Sequence, residues 1–580
     1  MAPSRASAER PRVDISMAEQ PATRHRFAWE ASYPPGVRWD APIATSMIQA
    51  LLDRAVARFA ERPALTYGAC TLNYRDLADA VARAANGLAA AGIKHGMHVA
   101  FLLPNSPWHP IFFFATLQLG ATVVHLSPLD AERELHHKLA DSGARIIVTT
   151  DMAGLATRAT ALLANGHIDQ LIVGEDAHWR DGTPATTADR PLNTHSGSAM
   201  LGITARSSAT HPIGILHDIA LLQYTGGTTG KPKAAVLTHA NLTAAVSIYE
   251  AWAQPQGFLD PGAERILCVL PLFHIYALVA ALLNGVNCGA EIILHPRFDS
   301  ATVLRDIEHR RITMFAGVPT MMTAIANFPG VERRDFSSLR AIRSGGASCP
   351  VEIENRIKAI TGLRLGGGWG MTETSPAGSN IPTGGPKNAA ASIPDKPGTI
   401  GLPLPGIEMA IVALDNPRHV LPTGQRGEIR VRGPNVVSRY FNRPEETAAA
   451  FVDGWLLTGD IGYADADGFF FLVDRKKDMI ISGGFNVYPR AIEEAIYEHA
   501  SVAEAIVIGV PDAYRGEAAK AFIVLQPGAQ PFTLEALRTY LADKIGRHEL
   551  PAHLEFRDTL PKTAVGKLSK RALIEEMNAQ

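Results

Sequence analysis

The sequence predicts an α/β protein of more than one domain, closed by a small α+β unit at its C-terminal end. Three observations lead there. A chain of 580 residues exceeds what one hydrophobic core usually serves. Between residues 72 and 149, helix-period stretches alternate with short apolar runs, the pattern of βαβ units with largely parallel sheets. From Gly406 onward the runs alternate like antiparallel strands, and the C-terminal end mixes one helix with short strands.

Taken in order, Leu77, Val81, Ala84 and Leu88 fall at helical spacing within 72–93, and Gly92 stands where a C-terminal cap belongs. A strand is expected at 99–103, a helix through 112–114, a strand at 121–126, a helix at 134–141 and a strand at 146–149. Residues 176–212 are polar and rich in Pro, Thr and Ser, which predicts a surface excursion, and 379–398 is similarly turn-rich. Strands follow at 428–432 and 469–473, then a helix at 490–497 and strands at 505–510 and 521–525.

Composition narrows the function. A 46% hydrophobic and 19% charged chain is an ordinary globular protein. A net charge of −2 gives no electrostatic case for nucleic acid. Cys70, Cys268, Cys288 and Cys349 lie far apart without a C-x-x-C pair, so neither a zinc site nor a disulfide framework is indicated, and a reducing cytoplasm fits. The apolar stretches 111–126 and 275–286 fall short of a bilayer span and are interrupted by Gln118 and Asn284. Residues 1–26 carry both arginines and acids and no apolar signal core; they read as a disordered extension, with Met17 an alternative start.

The densest chemistry is Tyr224-Thr-Gly-Gly-Thr-Thr-Gly-Lys-Pro-Lys233. Glycines let backbone N–H groups approach a polyanion, threonine hydroxyls add donors, and lysines offset phosphate charge. The kinase and GTPase P-loop does not fit: Thr225 stands five before Gly230 where glycine is needed, and Pro232 replaces the Mg²⁺-binding Ser/Thr. The run resembles instead the phosphate loop of adenylate-forming enzymes, the superfamily of acyl-CoA synthetases, luciferases and peptide-synthetase adenylation domains. The ordered set of motifs that follows strengthens the resemblance, which spans about residues 39–573. One departure is Ala234, where the loop usually ends on glycine.

The resemblance implies a role for each motif. Thr225, Gly226, Gly227, Thr228, Thr229, Gly230 and Lys233 would cradle the ATP phosphates, Lys233 with a catalytic share. In Gly366-Gly-Gly-Trp-Gly-Met-Thr-Glu-Thr374, Gly368, Trp369 and Gly370 would lie against adenine, Thr372 would bond the α-phosphate and Glu373 would hold Mg²⁺. Ser344-Gly-Gly-Ala347 is similar to the turn beside adenine and the acyl carboxylate, so Gly345 and Gly346 join both sites. Asp460 of Trp455-Leu-Leu-Thr-Gly-Asp460 would accept from the ribose hydroxyls, with Arg475 as second ribose contact. Lys567 of Pro561-Lys-Thr-Ala-Val-Gly-Lys-Leu568 would offset the repulsion between an attacking carboxylate and the α-phosphate. On the residues alone, Lys567 would read as one of several exposed lysines.

Leu270-Pro-Leu-Phe-His-Ile-Tyr276 resembles the acyl-pocket wall, with His274, Val318 and Met371 beside Gly345 and Gly346. No aspartate follows Phe273 to pair with a substrate ammonium, which favours a plain carboxylic acid. Ser482, Gly483 and Gly484 would border the pantetheine path, although unaided they read as a β-turn. Lys477, in an otherwise ordinary charged turn, would be the hinge.

The implied architecture is two α/β subdomains plus a β-rich subdomain in 27–473, a hinge at 474–477 and a small mobile α+β domain at 478–580. The implied reaction is ATP-dependent fatty-acid CoA ligation with ATP, Mg²⁺ and CoA, on medium- or long-chain acids; the segment Tyr33-Pro-Pro-Gly-Val-Arg-Trp-Asp40 carries part of that similarity. Dicarboxylate or aryl-acid ligation stands as the alternative, and a luciferase-like oxygenase or a non-catalytic acyl or nucleotide sensor as another class. Expected partners are the acid and CoA, with a lysine acetyltransferase acting on Lys567 as a further candidate. Peripheral membrane contact and oligomeric state stay open.

Overall fold

In the computed structural model of this chain, the described residues are 26–180, 192–203, 215–225, 232–346, 349–385, 394, 396–483, 485–512, 514–563 and 566–578. The extension expected at 1–26 lies outside them except for Arg26.

Two seven-stranded sheets carry most of the N-terminal part. One runs in the order Thr194–Ser196, Gln170–Gly174, Ile146–Thr150, His98–Leu102, Thr122–His125, Ile219–Thr225 and Lys233–Thr238. The other runs Gly366–Gly367, Ala341–Ser344, Met314–Gly317, Arg265–Cys268, Glu291–Leu294, Pro63–Tyr67 and Cys70–Asn73. Each is parallel except for one antiparallel edge pair. Parallel strands need helical crossovers, which cover both faces and account for strands that are apolar throughout. The helix Trp108–Gln118 shows this most plainly: all of Trp108–Leu117 is buried, as expected of a helix apolar on every side. The expected helix at 72–93 is Tyr74–Ala90, and Gly92 does follow its end with φ +90°.

An antiparallel sheet follows, ordered Ser379–Asn380, Thr399–Pro403, Phe470–Arg475, Trp455–Ala464, Gly427–Arg432 and Glu408–Val412. The N-terminal segment straps onto it: Trp39 Nε1–H donates to the Ile407 carbonyl (2.8 Å) and the Tyr33 hydroxyl to that of Pro403. The C-terminal sheet runs Phe485–Val487, Ile480–Ser482, Gly516–Leu525 and Val502–Asp512, with His553–Phe556 beside Gly516–Leu525. Its core of Ile492, Ile496, Val507 and Ile523 is separate from that of the large part. No described helix is long and apolar enough to cross a membrane.

Two expectations need correction. The stretch 176–212 is not merely a surface excursion. Trp179, Met200 and Leu201 are buried, Trp179 packs edge-on against Trp108 (5.0 Å between centroids), and Thr194–Ser196 extends the sheet. Polar neighbours hid three large apolar side chains. The strand expected to end at residue 473 runs on to Arg475, because Asp460 and Arg475 are in register across the sheet.

Candidate active site

Segments from all of these sheets meet at one cleft. The turn after strand Ala341–Ser344 brings Gly345 and Gly346 to its floor; Gly346 has φ +80°, and a Cβ there would run into the Lys567 side chain. Lys567 comes from the C-terminal part on a tight turn, held by Lys567 N–H to Thr563 Oγ1 (3.2 Å) and Gly566 N–H to the Thr563 carbonyl (2.8 Å). Thr320 Oγ1 donates to the Gly566 carbonyl at 2.8 Å, fixing that turn against the large part. Burial, helped by the Arg475 charge, lowers the Lys567 ammonium to about 8.

On the opposite wall, Trp369 Nε1–H donates to Asp460 Oδ2 at 2.6 Å. Arg475 Nε lies 2.9 Å from Oδ1 as an ion pair, yet that buried oxygen accepts no aligned hydrogen bond among the described residues. Its hydrogen-bonding capacity is unused in this arrangement, in which the atom is enclosed beside the guanidinium. The Asp460 charge raises the Arg475 guanidinium above its ordinary value. Gly368 and Gly370 are demanded by backbone: a Cβ at either would strike the Ser379 or Pro376 carbonyl.

Glu373 is buried in the short 3-10 turn Thr372–Thr374 and accepts from the Tyr440 hydroxyl at 2.7 Å. Lys233 Nζ lies 3.5 Å from the centroid of the same Tyr440 ring. Burial lowers the Lys233 ammonium, with Glu373 and Glu446 opposing. Thr225 and Lys233, which flank the phosphate loop, are in register on adjacent antiparallel strands. Gly226, Gly227, Thr228, Thr229 and Gly230 themselves lie outside the described residues, as does Gly484.

Two adjoining cavities, of about 1750 and 650 Å³, share His274, Gly346, Trp369, Arg475, Lys477 and Lys567 in their walls. The smaller one extends past Gly345, Met371 and Tyr276. His274 Nδ1 accepts from Tyr276 N–H (3.3 Å), so a neutral ring carries its proton on Nε2. Burial and the Lys567 charge push His274 down to about 3. Val318 is buried behind the cavity near Gly566, and Thr320 takes the lining position. Ser482 and Gly483 border neither cavity.

Residues 52–441 match the profile of the AMP-binding enzyme family and 491–567 that of the AMP-binding enzyme C-terminal domain. The chain belongs to the AMP-binding enzyme family. Within it, the long-chain-fatty-acid–CoA ligase of Bacillus subtilis is 38% identical over 562 residues, covering 94% of this chain and 98% of that protein. A feruloyl-CoA synthase from an Amycolatopsis species is 37% identical, covering 87% and 94%. The solved o-succinylbenzoate CoA synthetase of Bacillus subtilis, in complex with its acyl-adenylate intermediate, superposes with TM-score 0.76 at 29% identity over 91% of this chain and 98% of that one. These place the protein in the acyl-CoA synthetase branch, an AMP-forming ligase that uses ATP, Mg²⁺ and CoA.

Sequence reasoning missed three residues that line or support this AMP-binding enzyme's cleft. Tyr440 links Lys233 to Glu373 and sits in no distinctive motif. Asn435 Nδ2–H donates to the Thr374 and Ala377 carbonyls and pins the turn that bears Glu373. Arg343, two residues before Gly345, lines the smaller cavity; a charge on the cavity side of an otherwise small and apolar strand was the available signal.

Proposed function

We propose that this enzyme is a fatty-acid CoA ligase of medium- or long-chain acids, acting in the cytoplasm. Acid and ATP give acyl-adenylate and pyrophosphate; CoA thiol then displaces AMP to give acyl-CoA. The reading rests on the convergence of Lys567, the Asp460–Arg475 pair and Glu373 on one cleft that opens into a second cavity beyond Gly345. The Bacillus relative named long-chain-fatty-acid–CoA ligase supports the substrate class.

In this reading Asp460 and Arg475 bind the ribose, Trp369 flanks adenine, and Thr225, Lys233 and Thr372 with the 226–230 loop orient the phosphates. The buried Glu373 carboxylate would hold Mg²⁺, which supplies charge neutralisation on phosphate oxygens. Lys567 places a cation between two anions, where positioning and charge offset are most of the catalysis. Neutral His274 donates no charge to the acyl wall, which suits a carbon chain. With Ser482 and Gly483 away from the cleft, the second step needs the small domain, taken as 478–580 with a hinge at 474–477, to turn about Lys477. A lysine acetyltransferase acting on Lys567 would switch off the first step, reaching it only in the turned state.

The test is thioester release from ATP, Mg²⁺ and CoA with a panel of acids from octanoate to palmitate. ATP–pyrophosphate exchange with release of acyl-CoA is the expected result. Binding without exchange would mark a sensor, and oxygen consumption without thioester an oxygenase.

A further inference from the structure

Residues 341, 343 and 345 alternate onto the cavity side of their strand, and Met314 and Ala316 of the adjacent strand line the same wall. All are small or apolar except Arg343. Among the described residues its side chain forms no ion pair and no hydrogen bond; its contact is the Phe258 ring, 5.6 Å from the guanidinium carbon. The Tyr249 and Tyr276 phenols share its surroundings, line the same cavity and likewise have no hydrogen-bonded partner among the described residues. Asn284, just beyond the π-helical stretch Leu278–Leu283, lines the same cavity. Besides Lys567 and Gly346, the cavity thus holds a cation flanked by two phenols, of which Tyr276 lies against Gly345.

A guanidinium stays charged at any ordinary pH, and one walled in by protein without a counter-ion is costly. A methyl-ended chain reaching it would strip its remaining water and return nothing. A carboxylate would return a forked, charge-assisted pair.

We propose that the preferred acid carries a second carboxylate remote from the reacting one, bound by Arg343 with Tyr249 and Tyr276 as further donors. This rests on the acid–CoA ligase reading and narrows its fatty-acid substrate to a medium-length chain whose far end carries a carboxylate in place of the methyl group. Arg343 and Gly345 lie two residues apart, roughly 7 Å along the strand, so the second carboxylate belongs on a chain of medium length.

The experiment compares acids of equal carbon number, suberate against octanoate, and scans diacids from adipate to sebacate, in the wild type, Arg343→Leu and Arg343→Lys. The expected result is a wild-type kcat/KM roughly ten- to hundredfold higher for suberate. Arg343→Leu should reverse the order, suberate falling and octanoate rising, and Arg343→Lys should keep part of the diacid preference. Octanoate equal to or better than suberate in the wild type overturns the proposal, as does an unchanged ratio in Arg343→Leu. If Arg343→Leu does not fold, the wild-type ratio and Arg343→Lys still decide. Thioester from octanoate or palmitate but from no diacid defeats this inference alone; no thioester from any acid defeats the ligase reading beneath it.

Discussion

The indole N–H of Trp369 donates to Oδ2 of Asp460 at 2.6 Å, joining the aromatic beside the glycine turn to a carboxylate on the antiparallel sheet. Stacking was the role expected of Trp369; the structure adds a second one, holding the Asp460 carboxylate so that Oδ1 faces Arg475.

That bond separates two variants. Asp460→Ala should raise the KM for ATP roughly ten- to hundredfold, the cost of a charge-assisted bond. Trp369→Phe keeps a ring but loses the donor and should raise it less, about severalfold, on the scale of a neutral partner's bond. Initial rates against ATP measure both. A KM for ATP unchanged within about twofold in Asp460→Ala, far below that estimate, removes Asp460 as ribose ligand.

Tyr440→Phe tests the Lys233–Tyr440–Glu373 link. The ring contact with Lys233 survives while Glu373 loses a donor. The Mg²⁺ concentration for half-maximal exchange should shift by roughly threefold to tenfold, and Glu373→Gln should do more. An identical Mg²⁺ dependence in Tyr440→Phe would show that the phenol positions nothing.

Lys567 sets an alkaline limit. Its ammonium, lowered to about 8 by burial, is charged below that pH and neutral above it. A purely electrostatic role therefore predicts that kcat/KM for adenylation, which reports the free enzyme, falls as pH rises through about 8. A profile flat to pH 10, near the ordinary lysine value, would contradict it.

The two half-reactions should come apart. Lys567→Ala should abolish acyl-adenylate formation yet convert supplied acyl-adenylate and CoA to thioester. A bulky residue at Gly484 should spare pyrophosphate exchange and block the second step. Equal loss of both steps in both variants would leave one fixed site and no rotation.

Acid stability follows from buried histidines. Burial holds His125 and His239 near pH 4 and His274 near 3, below the unfolded value of 6.5. Between those values the unfolded chain binds protons that the folded one refuses, so stability rises with pH up to about 6.5 and is lost on acidification. Each such proton tilts the curve by about 1.4 kcal/mol per pH unit. His125→Gln should flatten the dependence of Tm on pH over that window; an unaltered slope would place the acid sensitivity elsewhere.

Much of this cleft was legible because its chemistry is packed into short strings. Asp460, Glu373, Trp369 and Lys567 each sit in a motif whose neighbours set the backbone. Tyr440, Asn435 and Arg343 were not legible, since each acts on a partner at least 58 positions away or on a cavity that only the sheet assembles. The stretch 176–212 misled for the converse reason: local polarity outvoted Trp179, which finds its partner on the distant helix at Trp108.

If the small domain turns as proposed, the glycine at 346 gives a handle on that equilibrium. Lys567 occupies the space that a methyl group would take there. Gly346→Ala thus penalises the arrangement with Lys567 docked more than any arrangement in which the small domain has turned away, over and above the backbone strain common to both. On that proposal, one added carbon on the floor of the cleft would act as a conformational ballast, shifting the resting population toward the undocked state without touching the proposed hinge.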